Sequence, residues 1–399
     1  MQNDISLPKF RSTDFLKSHV RSILSFYYPQ CIDVAGGGYF QHFDGDGKAS
    51  TGNRQKHLVS SSRLTINFAV AAKQFADPDF LAAARHGVDF LRKGHRHAKT
   101  GGYGWILQDG QVSDGDNHCY GIAFVLMAYA RTFAAGATEV YDYIEETFQF
   151  MERYFWREQD QLYVDVLDAD LETTSPYRGQ NANMHCCEAL ICAYEATGEK
   201  HYLDRAIVIA RRVTVELAAQ CDGLIWEHYN DHWQVDFNYN AGDTENKLRP
   251  WGYQPGHFTE WAKLLLLINS HSPHDWLTER AKALFDEAIA VAFDIDNGGL
   301  FYGFSPSGEI CSKGKYSWVQ AETIVAAALL ATQQENRLYW CIYHQFWQYA
   351  WTYMIDHDQK CWHRNLTHDN KIIPPSSVAM GRTDYHSICS CIEIINLLL

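Results

Sequence analysis

Two kinds of hydrophobic pattern alternate along the chain. The first is an amphipathic stripe, in which apolar residues mark one helix face, as do Leu16, Val20, Ile23, Leu24 and Tyr27. The second is apolar on most faces, which is typical of a helix that is buried on most sides. The six segments of the second kind are LVSSSRLTINFAVAAKQF, HCYGIAFVLMAYARTF, MHCCEALICAYEA, GHFTEWAKLLLLI, WVQAETIVAAALLA and YHSICSCIEIINLLL. The pattern predicts outer, amphipathic helices that alternate with inner, buried ones.

A short turn precedes each buried segment, with Gly, Asp or Asn followed in most cases by aromatic or β-branched residues. The turns read GGGYF, GGYGW, DQLYVD, DGLIWEHY, NGGLFYGF and QKCWHRN, near positions 37, 102, 161, 223, 298 and 361. This spacing is a repeat of roughly sixty residues, in which an outer helix, a β-hairpin turn and an inner helix follow one another. The longest interval contains the polar segment 236–251, which we interpret as a lid.

Six such units predict an all-α fold, an (α/α)6 barrel of six helical hairpins with short β-hairpin turns at one end. The inner helices would form a closed ring inside the outer ones. An open solenoid is the alternative, but it requires polar capping repeats, whereas this chain finishes on the apolar run CIEIINLLL. No linker rich in Pro, Gly or Ser separates the units. We therefore expect residues 1–399 to form a single barrel domain.

The composition limits which binding partners and which cellular compartment the protein can have. The 399 residues carry a formal net charge of −14 without a run of Lys or Arg, which argues against a nucleic-acid partner because phosphate binding requires a basic face. The eleven cysteines include no CxxC pair, which indicates reduced thiols in a cytoplasmic protein. No apolar run has the length of a membrane span, and the amino terminus does not read as a signal peptide. The oligomeric state stays open.

Chemically versatile side chains recur where each turn meets an inner helix. The candidates at these entrances are Arg63, His118, Asn181, His185, His257, Glu260, Trp318, Glu322 and His386. In a closed ring the six entrances converge on one end of the central cavity. Each residue also has a structural explanation, because histidines cap helices, glutamates are favoured near helix amino termini, and tryptophans fill cores. The repeated position favours a shared pocket.

Paired histidines suit proton transfer near neutral pH, because the reference pKa of the imidazole is about 6.5. Two such rings beside a sugar can move a proton next to a carbonyl group, and Arg63 can stabilise the resulting oxyanion. A metal is the competing use of His257 and Glu260, which lie at i, i+3 on one helix face. That pair supplies only two ligands and no HExxH motif is present, so neither a metal nor another cofactor is predicted.

Several motifs, in order, resemble the N-acylglucosamine 2-epimerase superfamily, and within it the aldose–ketose isomerase branch. They are RQKHLVSSSR, RGQNANMHCCEA, QPGHFTEW, KYSWVQAE and GRTDYH, and the resemblance extends over nearly the whole chain. It implies an (α/α)6 barrel and the cofactor-free isomerisation of a free monosaccharide. The implied reaction interconverts D-mannose and D-fructose, with D-lyxose and D-xylulose as a further pair to test.

The resemblance also implies roles for individual residues. His257 and His386 would be the acid/base pair, and Arg63 would hold a cis-enediolate. The side chains that would bind or surround the substrate are His185, Asn181, Glu260, Trp318 and Glu322. From its position at the second entrance, His118 is added to this substrate-binding set.

Three other functions fit the same barrel. A sugar 2-epimerase, of the mannose/glucose, N-acylglucosamine or disaccharide type, would return the proton to the opposite face of C2 and use the second histidine. A glycoside hydrolase or lyase would use Glu260 and Glu322 as a carboxylate pair across the glycosidic bond. A non-catalytic sugar-binding protein would need the aromatic side chains but not both histidines.

Overall fold

The computed structural model describes residues 7–246, 248–374 and 381–399. Its α-helices are α1 (Thr13–Tyr27), α2 (Leu58–Phe75), α3 (Pro78–Phe90), α4 (Cys119–Ala134), α5 (Tyr141–Tyr154), α6 (Gln180–Thr197), α7 (Lys200–Arg211), α8 (Pro255–His271), α9 (Asp275–Ala292), α10 (Ser317–Gln333), α11 (Arg337–Tyr349) and α12 (Tyr385–Leu398). The even-numbered helices coincide with the six segments predicted to be inner helices. The odd-numbered ones are the outer helices.

Burial separates the two sets of helices. In α10, 13 of 17 residues are buried, whereas α9 buries 6 of 18 along a single face. Consecutive inner helices pack against each other from α2 to α12, and α12 packs against α2, so the ring is closed. Each inner helix also packs against the outer helix that follows it, and α12 packs against α1. The predicted (α/α)6 barrel is therefore confirmed.

Hydrogen bonds between the two ends of the chain close the barrel. On α1, the Tyr27 hydroxyl donates to the Asp384 carboxylate immediately before α12. Also on α1, His19 Nε2 accepts a hydrogen bond of 2.9 Å from the indole N–H of Trp362. The seam of the barrel is the place where α1 meets α12 and the chain segment before it. It combines helix packing with hydrogen bonds between residues more than three hundred positions apart.

All described strands lie between an outer helix and the next inner helix, so they gather at one end of the barrel, as predicted. They are β1 (Gln55–His57), β2 (Ile106–Gln108), β3 (Gln111–Asp114), β4 (Asn117–His118), β5 (Trp156–Arg157), β6 (Leu162–Tyr163), β7 (Val166–Leu167), β8 (Arg178–Gly179), β9 (His228–Tyr229), β10 (Gly303–Phe304), β11 (Ile310–Ser312), β12 (Lys315–Tyr316), β13 (Ile355–Asp356), β14 (Cys361–Trp362) and β15 (Asn365–Leu366). The antiparallel pairs β1–β2, β4–β7, β8–β9 and β12–β15 join neighbouring repeats. These pairs fix the entrances of four inner helices relative to their neighbours.

A left-handed backbone conformation explains the repeated turns. Each turn has at least one residue with a φ between 55° and 87°, and every turn is represented by one of Gly37, Gly101, Gln161, Gly223, Gly298 and Lys360. Glycine adopts this conformation without the steric penalty of a Cβ atom. The third and sixth turns place Gln161 and Lys360 there instead, which is why their sequence signal is weaker.

The lengths of the helices and the state of the cysteines bear on the predictions about membranes and disulfides. Within the described residues, every helix is too short or too polar to cross a bilayer. The eleven cysteines are free thiols, and eight of them are buried. The shortest approach is 3.5 Å between the Sγ atoms of Cys119 and Cys186. Reduced cysteines agree with the prediction.

Candidate active site

His257, in the first turn of α8, is held by Glu227, which lies immediately before β9. Its Nδ1 atom is 2.9 Å from both carboxylate oxygens of Glu227. The Gln180 amide donates to the same carboxylate at 2.9 Å, and the Trp261 indole donates to the Gln180 carbonyl at 2.7 Å. This buried network orients the imidazole with its Nδ1–H toward the carboxylate, so that Nε2 is the atom available for proton transfer.

His386, the second residue of α12, forms a similar pair with Glu322 on α10. Its Nδ1 atom lies 2.7 Å from Glu322 Oε1. The Trp318 ring contacts both histidines, with centroids 5.1 Å from His257 and 5.9 Å from His386. Burial lowers the pKa of His386, and although the hydrogen bond to Glu322 opposes this, the charge of Arg63 adds to it. His386 is therefore an unprotonated base near neutral pH.

Arg63, on α2, is a cation whose described contacts are aromatic rings and a tyrosine hydroxyl. Its guanidinium lies over the rings of Phe124 and Tyr385, at 4.5 and 5.1 Å. One nitrogen donates to the Tyr120 hydroxyl at 3.1 Å. Among the described residues, no Asp or Glu forms an ion pair with this guanidinium. Such a cation can stabilise an oxyanion that develops on a bound substrate.

His185, on α6, lies between Arg63's aromatic neighbours and a carboxylate. Its ring contacts those of Tyr120 and Phe124, with centroids 4.9 and 4.7 Å away. Its Nδ1 atom is 3.0 Å from Glu188 Oε2. Burial lowers the pKa of His185 to about 4 against the opposing effect of Glu188. The imidazole is thus neutral at physiological pH and can bind a sugar oxygen.

Glu260 is the most isolated carboxyl group of the site. It is 1% exposed, and neither of its oxygens has a hydrogen-bond partner within the described part of the chain. One oxygen lies 3.9 Å from His185 Nδ1. Burial and the charge of Glu322 raise the pKa of Glu260 well above its usual value. A neutral carboxyl group of this kind can donate its proton in a hydrogen bond to a sugar hydroxyl.

Three groups of side chains have the composition of a metal site. They are His185, Glu188 and Glu260; Glu260, Glu322 and His386; and Asp114, Asp116 and His118. Within the first two groups, the Lys263 ammonium lies 2.9 Å from both Glu188 and Glu322. The positive charge among these carboxylates is therefore supplied by a lysine. That the enzyme needs no metal stays a prediction.

His118 and Asn181 are two of the expected substrate-binding residues. His118 stacks on Trp105 at 3.9 Å, and Trp105 contacts the edge of His57 at 4.3 Å. Burial lowers the pKa of His118 to about 4. Asn181, in the first turn of α6, has a buried amide oxygen without a partner among the described residues. The contacts described for these two residues do not include the two histidine–glutamate pairs.

The structure brings together the other seven candidates and adds residues that sequence reasoning missed. The connected candidates are Arg63, His185, His257, Glu260, Trp318, Glu322 and His386. The missed residues are Glu227, Lys263 and Trp105. A lysine is unusual inside the apolar run WAKLLLLI, so the sequence could have indicated Lys263. Glu227 stands in a turn, where an acidic residue is ordinary.

The carboxylates do not suit glycoside hydrolysis. Oxygens of Glu260 and Glu322 lie within 4.8 Å of one another, and Glu322 is bound to both His386 and Lys263. Hydrolysis requires two carboxyl groups about 5 to 9.5 Å apart that flank the glycosidic bond. Here Glu322 is already engaged by a histidine and a lysine.

Fold and site together define an (α/α)6 barrel whose central cavity contains two histidine–glutamate pairs. The chain belongs to the N-acylglucosamine 2-epimerase (GlcNAc 2-epimerase) family, whose model matches residues 38–390. The resemblance noted in the sequence is thereby confirmed. Members of the family that the chain resembles are isomerases and epimerases.

Similar proteins identify the branch of the family more closely. The chain is 43% identical to the D-mannose isomerase of Marinomonas mediterranea over 99% of this chain and 100% of that protein. It is 32% identical to the D-mannose isomerase of Thermobifida fusca, over 87% and 86% of the two chains. A crystal structure of a D-mannose isomerase superposes with a TM-score of 0.95 at 43% identity, covering 98% of this chain and all of that one.

Proposed function

We propose that this protein is an aldose–ketose isomerase that interconverts D-mannose and D-fructose, with D-lyxose and D-xylulose as a further pair. One observation carries the proposal: two imidazoles, each bound to a glutamate through Nδ1, both contact the ring of Trp318. Identity of 43% to a D-mannose isomerase over nearly the whole chain supports it.

The first steps open the sugar and form the intermediate. His257 exchanges a proton with the ring oxygen or O1, and its partner Glu227 stabilises the charged imidazolium form. His386 then removes the proton from C2, and the electron pair of that bond forms the C1–C2 double bond of a cis-enediolate. Arg63 stabilises the negative charge that develops on oxygen, because no carboxylate among the described residues competes for its guanidinium.

The last steps give the ketose. The proton of the C2 hydroxyl moves to O1, and His386 returns its proton to C1, so that C2 becomes the carbonyl carbon and no net proton is consumed. His185, Glu260 and Asn181 bind the hydroxyl groups, since each has a polar atom that suits a sugar oxygen. Trp318 provides a flat face for the C–H edge of the sugar, and His118, which stacks on Trp105, contributes to substrate binding.

The proposal extends to the cofactor, the binding partner and the cellular compartment of the enzyme. The enzyme acts without a metal or organic cofactor, because histidines, Arg63 and Lys263 supply the required acid, base and positive charges. The chain forms one catalytic domain whose partner is a monosaccharide. The net charge of −14 disfavours nucleic acid as a partner, and the free cysteines fit the reducing cytoplasm.

A 2-epimerase is the second candidate, and one observation favours it as well. The two carboxylate-bound histidines give the barrel two bases, and an epimerase needs one for each face of C2. The outcome depends on which carbon of the enediolate receives the proton. The product therefore distinguishes the two functions directly.

The deciding experiment incubates metal-stripped protein with D-mannose in D2O and identifies the products by NMR. Fructose is the expected product, and deuterium at its C1, taken up when the proton on His386 exchanges with D2O, indicates an enediolate isomerase without a metal. Glucose with deuterium at C2 would establish an epimerase. Activity that returns only when a divalent metal is added would remove the metal-free mechanism, and an unchanged sugar with the intact protein would overturn both candidates.

A further inference from the structure

Lys263 is a buried lysine in the middle of α8, surrounded in sequence by apolar residues. Its side chain is 7% exposed, and Nζ lies 2.9 Å from Glu188 Oε1 on α6 and 2.9 Å from Glu322 Oε2 on α10. Glu260, one turn earlier on α8, has a carboxyl oxygen 3.8 Å from the same nitrogen. Three inner helices thus meet at one ammonium group.

Both carboxylates that bind Lys263 also bind a histidine. Glu188 uses its second oxygen for His185 Nδ1 at 3.0 Å, and Glu322 uses its second oxygen for His386 Nδ1 at 2.7 Å. The lysine therefore connects the two imidazoles through their partners. A change at Lys263 reaches both rings, although the ammonium contacts neither of them in this network.

The pKa values of the ionisable groups around Lys263 are shifted in different directions. Burial opposes the charge on Lys263, but the surrounding glutamates hold its pKa well above the usual value. Burial also raises the pKa of Glu188, yet Lys263 and His185 outweigh it and hold that pKa well below the usual value. Burial and the charge of Glu322 raise the pKa of Glu260, which favours its neutral form. One ammonium group and three carboxyl groups thus lie next to His185 and His386.

Resting on the isomerase function proposed above, we propose that Lys263 is a positioning residue that keeps His386 unprotonated and aligned as the base. The ammonium fixes one oxygen of Glu322, which directs the other toward His386. Its positive charge also disfavours the binding of a proton by the His386–Glu322 pair. Both effects favour the neutral imidazole that removes the C2 proton.

The groups that face this cluster come from five inner helices. They are Arg63 on α2, His185 and Glu188 on α6, Glu260 on α8, Glu322 on α10, and His386 and Glu393 on α12. Removing the lysine charge leaves the two ionised glutamates uncompensated. The His386–Glu322 pair then binds its proton more tightly, whichever partner carries it, because the pair titrates as one unit.

The test compares the pH dependence of kcat/KM for D-mannose in the wild-type enzyme and Lys263→Met, which keeps the chain length and removes the charge. The acid limb of the profile should move to higher pH by about one unit or more. Lys263→Arg retains the charge and should restore the limb. Glu188→Gln removes a negative charge from the same network and should move the limb to lower pH.

Lys315→Met is the matched control. Lys315 is fully buried and paired with Asp294 at 2.7 Å, but it lies at β12 and anchors the loop residues His368 and Asn370. Its replacement should lower the denaturation midpoint without moving the acid limb. A Lys263→Met enzyme with an unmoved limb would overturn the inference.

Further measurements decide the role of Lys263 if its variant does not fold or if the wild-type protein is inactive on D-mannose. If Lys263→Met does not fold, Glu188→Gln decides, and an unmoved or raised acid limb in that variant refutes the role. If the wild-type enzyme does not convert D-mannose, the proposed function fails rather than the role of Lys263. An NMR titration of the His386 ring in wild-type, Lys263→Met and Glu188→Gln proteins then measures the same shifts without turnover, and identical titration curves refute the role.

Discussion

The carboxylate of Glu227 lies 2.9 Å from Nδ1 of His257, although 30 positions of the sequence separate the two residues. The carboxylate comes from the turn before β9, and the imidazole from the first turn of the next inner helix. Gln180, from the preceding inner helix, donates to the same carboxylate. Two neighbouring repeats thus contribute to this network, so it forms only when α6 and α8 pack side by side.

Replacing Glu227 by glutamine should lower kcat for D-mannose by about 100-fold or more, with a smaller change in KM. The neutral amide cannot stabilise a charged His257 and fixes its tautomer less well. Glu152→Gln is the control, because Glu152 binds Tyr163 and Arg205 outside the site and should retain nearly full turnover. Steady-state kinetics measure both, and a Glu227→Gln enzyme as active as the control would exclude this function of Glu227.

Asparagine in place of His257 or His386 should reduce turnover by about two to four orders of magnitude. His386→Asn should also lose the exchange of the C2 proton of D-mannose with D2O, because it removes the base itself. Proton NMR follows the exchange, and the circular dichroism spectrum serves as the control for folding. Near-native turnover in either variant would remove that histidine from the mechanism.

Most of the fold was predictable because it depends on patterns that are local in sequence. Helices that are apolar on most faces must be buried on most faces, and six of them with intervening amphipathic helices can satisfy that requirement by closing a ring. The turn signal came from one or two left-handed residues per repeat. Closure itself depends on contacts such as Trp362 with His19, whose partners lie 343 residues apart. No local pattern contains them.

The candidate site was predictable only in part. His257 and His386 stand at equivalent helix entrances, so a repeat places them together without further information. Their partners come from other elements: Glu227 from a turn and Glu322 from the neighbouring helix. The assignment of Glu227 and Lys263 needed distances, because an acidic residue in a turn or one lysine in an apolar helix has several ordinary explanations.

Trp318 should contribute mainly to sugar binding. We expect Trp318→Phe to raise KM for D-mannose by about 3- to 10-fold, because the smaller ring offers less apolar contact to the sugar, and to change kcat less. Trp340→Phe, on outer helix α11, is the control for the loss of an indole. If KM stays unchanged while kcat falls, Trp318 supports the two histidines instead of the substrate.

The sequence predicts a lid at segment 236–251, which the structure describes except for residue 247, and two of its residues contact the strand end of the barrel. The Arg249 guanidinium lies 3.7 Å above the Tyr177 ring, and the Ser312 hydroxyl of β11 donates to the Glu245 carboxylate at 2.7 Å. We expect a saturating concentration of D-mannose to slow hydrogen exchange in this segment, since closure would shield its exposed amides. Peptides from outer helix α5 provide the reference. Equal protection with and without the sugar would contradict a lid.

The hydrogen bond between Trp362 and His19 predicts acid lability at the seam of the barrel. His19 accepts this bond at Nε2, so its imidazole is neutral in the folded protein, and burial, with a further effect of His357, lowers its pKa to about 4. A pKa that is lower in the folded state than in the unfolded state gives stability that is present above about pH 6.5. That stability is lost as the pH falls toward about 4.

His19→Gln tests this assignment, because a glutamine carbonyl can accept the same indole hydrogen bond but does not titrate. The free energy of unfolding of the wild-type protein relative to His19→Gln should fall by up to about 3 kcal/mol between pH 7 and pH 4. Urea denaturation at several pH values measures this difference, and the effects of the other histidines cancel between the two proteins. His232→Gln, at an exposed position, should follow the wild-type curve. Parallel curves for wild-type and His19→Gln would show that proton uptake by His19 does not open the seam.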